Sequence, residues 1–349
     1  MLSRRAGRLL FHPAWWQGLS LVAGFVPSEM TGLPTAIEPA LAIWLVVWQA
    51  ARQAYPSLNP LSFFRRLRFI GQAWRRRREW RALRNVSPGS QLAAVMAARR
   101  GLVHLIAWPY LHRAWSVRQR VDTVVSHYRQ IDAARWLQVP LGTRRVLATL
   151  GEPDAGITLQ IDQPDWLAQE GELALSLFDA DLRLYSVAFS IGQRKGRPVV
   201  YIGAIQGRSV EGASERYAEL THRFHGCRPR DLLLLALFML AAELGIEHAY
   251  GICDYYRHFR QPRLLARLDK NIKTADYDEI WRDRGGVETV DGFYEMATCF
   301  TPRPLDDVPA KKRAMYRRRY EMLGGLREHL HNRSLANRLP DQLIRTPAR

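Results

Sequence analysis

Val199-Val200-Tyr201-Ile202-Gly203-Ala204-Ile205 is a short, β-branched apolar run fenced by Pro198 and Gly207, which is the pattern of a buried strand. His225-Gly226-Cys227-Arg228-Pro229-Arg230 then leads into a helix spanning about Asp231 to Leu244. Every residue between Asp231 and Glu243 is Leu, Ala, Phe or Met. A helix apolar on all faces has to be buried on all faces, so this one is expected across the centre of the fold. Gly245 supplies the stop expected just past a helix C-terminus, and Glu247 to Ile252 reads as a second strand. Strand, helix and strand make a right-handed crossover with its two strands parallel.

Upstream of that unit, Ile157 to Ile161, Glu172 to Phe178 and Leu184 to Ile191 are further strand-like runs. The turn signals Gln163-Pro164-Asp165, Asp179-Ala180-Asp181 and Gly192 to Gly196 separate them. Such short connections force neighbours to pair antiparallel, so Val199 to Gln206 closes a meander. Downstream, Tyr256 to Lys273 reads as a basic helix, and Val287 to Val290 with Phe293 to Phe300 as a hairpin around Asp291-Gly292. The fold class is therefore α+β, with an N-terminal helical region, a mixed sheet and a basic helical tail. The expected divisions are a Trp- and Pro-rich extension over 1–55, a basic helical region over 56–150, the α/β core over 151–305 and the tail over 306–349. From Leu61 to about Arg84 the arginines crowd together, and Leu61, Phe64, Leu67, Trp74 and Leu83 approximate one stripe of an amphipathic helix with a cationic outer face.

At 349 residues, 47% of them hydrophobic, the chain has ample material for a core. Its net charge of +18 implies an anionic partner, whether nucleic acid, anionic lipid or an acidic carrier protein. Cys227, Cys253 and Cys299 are odd in number and widely spaced, with no CxxC pair and no zinc-site spacing, which fits a reducing, cytoplasmic compartment and no bound metal. The apolar runs Ala40 to Trp48 and Leu232 to Ala242 fall short of the ~20 residues a spanning helix needs. The N-terminus lacks a signal-peptide core and an A-x-A site and is read as unprocessed. Ala40 to Arg52, with Trp44 and Trp48 one turn apart, suits either a membrane interface, peripheral to the inner membrane, or plain packing on the body.

Four separated stretches resemble the signatures of one family. They are Tyr201 to Gly207, His225 to Arg230, Ala275-Asp276-Tyr277-Asp278-Glu279-Ile280-Trp281 with Gly285-Gly286, and Lys311-Lys312-Arg313-Ala314-Met315-Tyr316-Arg317-Arg318-Arg319-Tyr320. In this order they resemble the VirK/YbjX family of Gram-negative bacteria, over roughly residues 60 to 325. That resemblance implies a link to virulence, to the cell envelope and to withstanding antimicrobial peptides, but no assigned reaction. The order of elements is also similar to that of N-acetyltransferases (GNAT), in which an acyl thioester lies where two parallel strands splay apart. That superfamily has a tight Gly-rich turn before its central helix, whereas here a long link from Arg208 to Arg230 takes its place.

If the chain is an acyltransferase, its candidate catalytic residues are His225 as general base, Asp254 to orient it or take the proton, and Tyr255 as acid for a leaving thiolate. Gly207, Gly226, Arg228 and Arg230 are the candidate donor-binding positions, for acyl-CoA or, better suited to the long link, an acyl carrier protein. Plain alternatives stand beside these: His225 capping the helix approach, Asp254 pairing with Arg257, and Asp276, Tyr277, Asp278 and Trp281 fixing a turn against the sheet. Cys227 as nucleophile is disfavoured, because a lone Cys in an apolar surround is inert. Glu170 and Glu172 lead into a strand facing the same region. A non-enzymatic, lipid-associated envelope or regulatory factor explains the charge as well. Nucleic acid ranks below, since no RNP-like motif, helix-turn-helix or zinc finger is found.

Overall fold

The computed structural model describes residues 47–48, 51–52, 55–84, 86–87, 89–98, 105–106, 108–150, 156–207, 212–260 and 276–338. The chain forms two compact units, Met1–Ile70 and Gly71–Arg349. Most of the Ala40 to Arg52 segment lies outside the described residues, as does Gln261 to Lys273 of the expected basic helix. Among the described residues no helix is long and apolar enough to cross a membrane.

The first described helix, α1 (Pro60–Arg75), starts in the first unit and ends in the second. Its inner face is Ser62, Arg66, Phe69 and Ala73, all buried. Arg66 tolerates burial because its Nε and Nη2 donate to the carbonyls of Tyr55 and Ser57, both at 2.8 Å. Of the apolar stripe expected to face inward, Leu61, Phe64, Leu67 and Trp74 are exposed, while Leu83, beyond this helix, is buried as expected. Tertiary context, not periodicity, selected the buried face.

In the second unit α2 (Arg77–Arg84) and α3 (Gln91–Ala98) precede α4 (Val117–Ala133). A capping box starts α4, with the Ser116 hydroxyl accepting from the Gln119 amide and the Gln119 side chain accepting from the Ser116 amide. The sheet follows: β1 (Arg144–Thr149), β2 (Ile157–Asp162), β3 (Leu173–Asp179), β4 (Leu182–Arg194) and β5 (Arg197–Gly207). These form the expected antiparallel meander, extended by β1, which lies in a region read as mostly helical.

The crossover holds two helices where one was expected, α5 (Ala213–Arg223) and α6 (Pro229–Glu243). Its return strand β6 (His248–Ile252) pairs parallel with β5 through Val200↔Ala249, Tyr201↔Tyr250 and Ile202↔Gly251, as the apolar runs implied. Along α6 every residue from Leu232 to Ala241 is buried, and the helix lies on β3, β4 and β5. Gly245, at φ 69, ends it in a Schellman turn, its amide bonded to Ala242 and that of Ile246 to Ala241.

After β6 come α7 (Tyr277–Arg282) and the short hairpin of β7 (Val287–Glu288) and β8 (Phe293–Ala297), with β8 antiparallel to β6. The sheet order is β1-β2-β3-β4-β5-β6-β8-β7. The tail is α8 (Ala310–Arg338), packed on α6.

Candidate functional site

The parallel ladder of β5 and β6 ends at Ile202 and Gly251, and β5 runs on to Gly207 without its neighbour. A bulge causes the separation. Ala188 pairs with Ala204 and Phe189 with Ile202, so Gly203 is the extra residue, and a Cβ there would run into the backbone carbonyl of Glu170. The freed backbone is not left empty. The Tyr277 hydroxyl accepts from the Ile205 amide at 2.8 Å and donates to the Ile205 carbonyl at 3.0 Å, doing the work of a missing strand. Trp281 acts similarly on the other side, its Nε1 donating to the Ile252 carbonyl at 2.8 Å while its ring lies against Gly251. Both side chains project from α7, whose first turn is capped by Asp276 through the Glu279 amide. The turn-fixing reading of Tyr277 and Trp281 is the one the structure shows.

A buried charged group surrounds this plug. The Arg257 guanidinium stacks 3.7 Å from the Tyr277 ring centroid, 3.3 Å from the Asp254 carboxylate and 3.9 Å from that of Glu170. Arg260 also pairs with Asp254, and the Asp254 amide donates to Asp278 at 2.8 Å. His258 Nδ1 stands 3.7 Å from Glu170. Burial pushes the Glu170 carboxyl up to about 7, opposed by Arg257, and pushes His258 down to about 3. A carboxyl that titrates near neutrality beside a fixed cation has the properties of a proton acceptor.

The residues singled out from sequence fall into two groups. Asp254 belongs to the plug, held by two arginines, and Tyr255 beside it is 62% exposed with the Arg113 guanidinium 3.6 Å from its ring. His225, Gly226, Arg228 and Arg230 lie instead at the junction of α5 and α6. His225 takes the left-handed C′ position of a Schellman turn at φ 52, its amide bonded to His222 and that of Gly226 to Thr221. Its carbonyl accepts from Arg319 Nε at 2.9 Å, and burial with Arg318 and Arg319 lowers its ring pKa. Gly226 is enclosed by Met315 and Arg319 of α8. Arg230 pairs with Asp231 at 3.3 Å, and Arg228 stays exposed. Among the described residues no hydrogen bond or ion pair joins His225 to Asp254. Burial raises the Cys227 thiol to about 11, which fits an inert cysteine. Of the two glutamates, Glu170 is in the plug, whereas Glu172 accepts from the Tyr128 hydroxyl at 2.7 Å.

Gly207 opens onto a separate feature. Gln160, Ser176, Ser186 and Gln206 are successive cross-strand partners on β2 to β5, a continuous polar row across four strands. Beside them is a cleft of about 400 Å³ lined by Trp166, Arg183, Leu184, Ser186, Gln206 and Gly207. Each of these polar residues is visible in the sequence. Their alignment is not, because it depends on the registers of three strand pairs and on the bulges within them.

Over residues 61–332 the chain matches the family described as a protein of unknown function (DUF535). It belongs to the VirK/YbjX family. It is 27% identical over 229 residues to the uncharacterized protein YbjX of Escherichia coli (strain K12), covering 64% of this chain and 68% of that one. An uncharacterized protein of Haemophilus influenzae is 33% identical over 228 residues, covering 63% of this chain and 72% of its own. A Mannheimia haemolytica protein named membrane protein LapB is 26% identical over 216 residues, covering 61% and 94%. In this VirK/YbjX protein the plug, the cleft, α6 and most of α8 all lie within the matched span.

Glu170 predicts a defined pH dependence for the stability of this chain. Its folded pKa of about 7 lies above the ordinary 4.5, so its contribution to stability is full below about pH 4.5 and is lost as pH rises through 7. Glu170→Gln removes that loss. In chemical denaturation the variant should therefore gain on the wild type between pH 4.5 and 7, by up to roughly 3 kcal/mol at ~1.4 kcal/mol per unit. A constant difference across that range would show that Glu170 is ionised as in water.

Proposed function

We propose that the protein works at an anionic membrane surface of the cell envelope, as a lipid-associated factor that docks through α1. The observation behind this reading is the outer face of that helix. Phe63 (49% exposed), Phe64 (67%), Leu67 (46%) and Trp74 (53%) form one exposed strip at helical spacing, and Arg65, Arg68 and Arg75 run alongside it. An apolar strip flanked by cations is the pattern of a helix lying in a bilayer interface, its rings in the acyl boundary and its guanidinium groups on lipid phosphates. The name of the Mannheimia relative and the net charge of +18 favour the same reading.

Vesicle co-sedimentation tests it. The protein should bind phosphatidylcholine vesicles only when phosphatidylglycerol is added, and more weakly as salt shortens the screening length from ~8 Å toward ~3 Å. At ~1 kcal/mol per basic residue, replacing Arg65, Arg68 and Arg75 by Gln should weaken binding about a hundredfold, and Phe64→Glu with Trp74→Glu should abolish it. Equal binding to neutral vesicles, or an effect confined to replacements of Lys311, Lys312, Arg317 and Arg318, would reject docking by α1. Tighter, saturable binding to DNA would favour the nucleic-acid reading.

Acyl transfer from acyl-CoA or an acyl carrier protein is the second reading, favoured by the near-neutral Glu170 carboxyl where β5 and β6 part. A thioester arm entering there would have to displace Tyr277, which holds both backbone groups of Ile205. Glu170→Gln distinguishes the readings, since it would stop an acyl transfer while leaving vesicle binding unchanged.

A further inference from the structure

We propose that the cleft over β4 and β5 is a binding site for a neutral, polyhydroxylated ring, the pyranose of a sugar. It rests on groups independent of α1 and of Glu170. The cleft volume of about 400 Å³ lies within the ~300–1,000 Å³ of small-molecule sites. One wall is Trp166, 42% exposed, and the rest of the lining mixes the polar Arg183, Ser186 and Gln206 with Leu184 and Gly207.

The charge balance selects the ligand. Arg183 would by itself suggest an anion, but both of its terminal nitrogens are committed to Asp162, one of them at 3.2 Å, and the carboxylate is buried. The same guanidinium donates to Ser176 at 2.6 Å and stands 4.6 Å from the centroid of the Phe178 ring, which fixes its plane. A guanidinium already paired with a buried carboxylate offers no net charge, and a phosphate placed there would meet Asp162 as a repulsive neighbour. What the pair does is hold the Arg183 guanidinium rigid and charge-balanced in the cleft wall, beside the Ser186 hydroxyl and the Gln206 amide.

Around that pair, the Ser186 hydroxyl is 2.9 Å from that of Ser176, and no hydrogen bond to the Gln206 side-chain amide is found among the described residues. Gln206 thus presents a donor and an acceptor from the floor, at the end of β5 beyond its last pairing with β6. Hydroxyl groups both donate and accept, so a ring bearing several of them can satisfy this mixed set where a purely anionic or purely apolar ligand cannot. The Trp166 ring, half-exposed with the Arg183 guanidinium 6.0 Å from its centroid, supplies the aromatic surface for the C–H face of such a ring.

Saturation-transfer NMR with methyl glucoside and methyl N-acetylglucosaminide, using the full chain, tests the proposal, with inorganic phosphate as the anionic control. At least one glycoside should bind saturably, and phosphate should neither bind at the cleft nor compete. Trp166→Ala and Gln206→Leu, neither of which removes a hydrogen bond found among the described residues, should each weaken binding at least tenfold with an unchanged melting temperature. Absence of saturable binding by both glycosides to the folded protein would overturn the proposal. So would full binding by Trp166→Ala, or displacement of the glycoside by phosphate.

Discussion

Gly203→Ala is expected to destabilise the protein severely although it adds a single methyl group. Gly203 is the bulged residue of β5, and its missing side chain is the space into which the Glu170 carbonyl fits. A clash with a flexible side chain is relieved by a rotamer change, but here the obstacle is backbone. The segment from Trp166 to Gly171 is closed on itself by hydrogen bonds from the Glu170 and Gly171 amides to the Leu167 carbonyl, is held from outside by the Leu111 amide on the Gln169 carbonyl at 2.7 Å, and has Gly171 pressed against the backbone of Phe189. Overpacking a well-filled interior typically costs ~1–3 kcal/mol, and a backbone obstacle places this case at or above the top of that range. Against a total stability of ~5–15 kcal/mol the melting temperature should fall by roughly 5–10 °C. Gly324→Ala is the control, since nothing lies within 4 Å of the added methyl and the site is helical, where alanine is favoured. Equal melting temperatures for the two variants would show that the segment bearing Glu170 is free to move away from the sheet.

Leu234→Asp should abolish folding outright. Leu234 is 0% exposed in the middle of α6, between the sheet and the other elements that cover the helix. An unpaired carboxylate there has no cation or amide to receive it, and its burial costs several kcal/mol on top of the packing lost. The far-ultraviolet dichroism of the variant should show no cooperative transition with denaturant. Leu234→Met, close in volume, should cost less than ~1.5 kcal/mol and unfold cooperatively. A cooperative transition in the aspartate variant would mean that α6 can turn the position toward water, which a helix buried on every face cannot do.

These two positions differ in how far they could be read in advance. The burial of α6 follows from composition alone, because eleven consecutive Leu, Ala, Phe and Met residues leave no face for solvent. The meander, the parallel return of β6 and the hairpin of β7 and β8 follow from short apolar runs and their turn signals. Gly203 sits inside one of those runs with no local mark of the bulge it makes. The α5 helix, a short amphipathic segment within the long link from Arg208 to Arg230, likewise carries no mark that separates it from a loop.

The site residues divide along the same line. His225 and Asp254 share the strand-end side of the topology in sequence, yet in space one terminates α5 against α8 and the other is held by Arg257 and Arg260. The charge of Glu170 depends on a desolvated position beside Arg257, which no sequence spacing encodes. On α1 the arginines and aromatics were plain to see, but the outward face was set by which side Phe69 and Ala73 could bury. By itself, then, the sequence determined class, element order and net charge, because these depend on side-chain chemistry and local periodicity. Only the tertiary structure decided which polar groups lose water, which backbone atoms meet Tyr277 and which face of a basic helix stays outside, because each of these depends on neighbours distant in the chain.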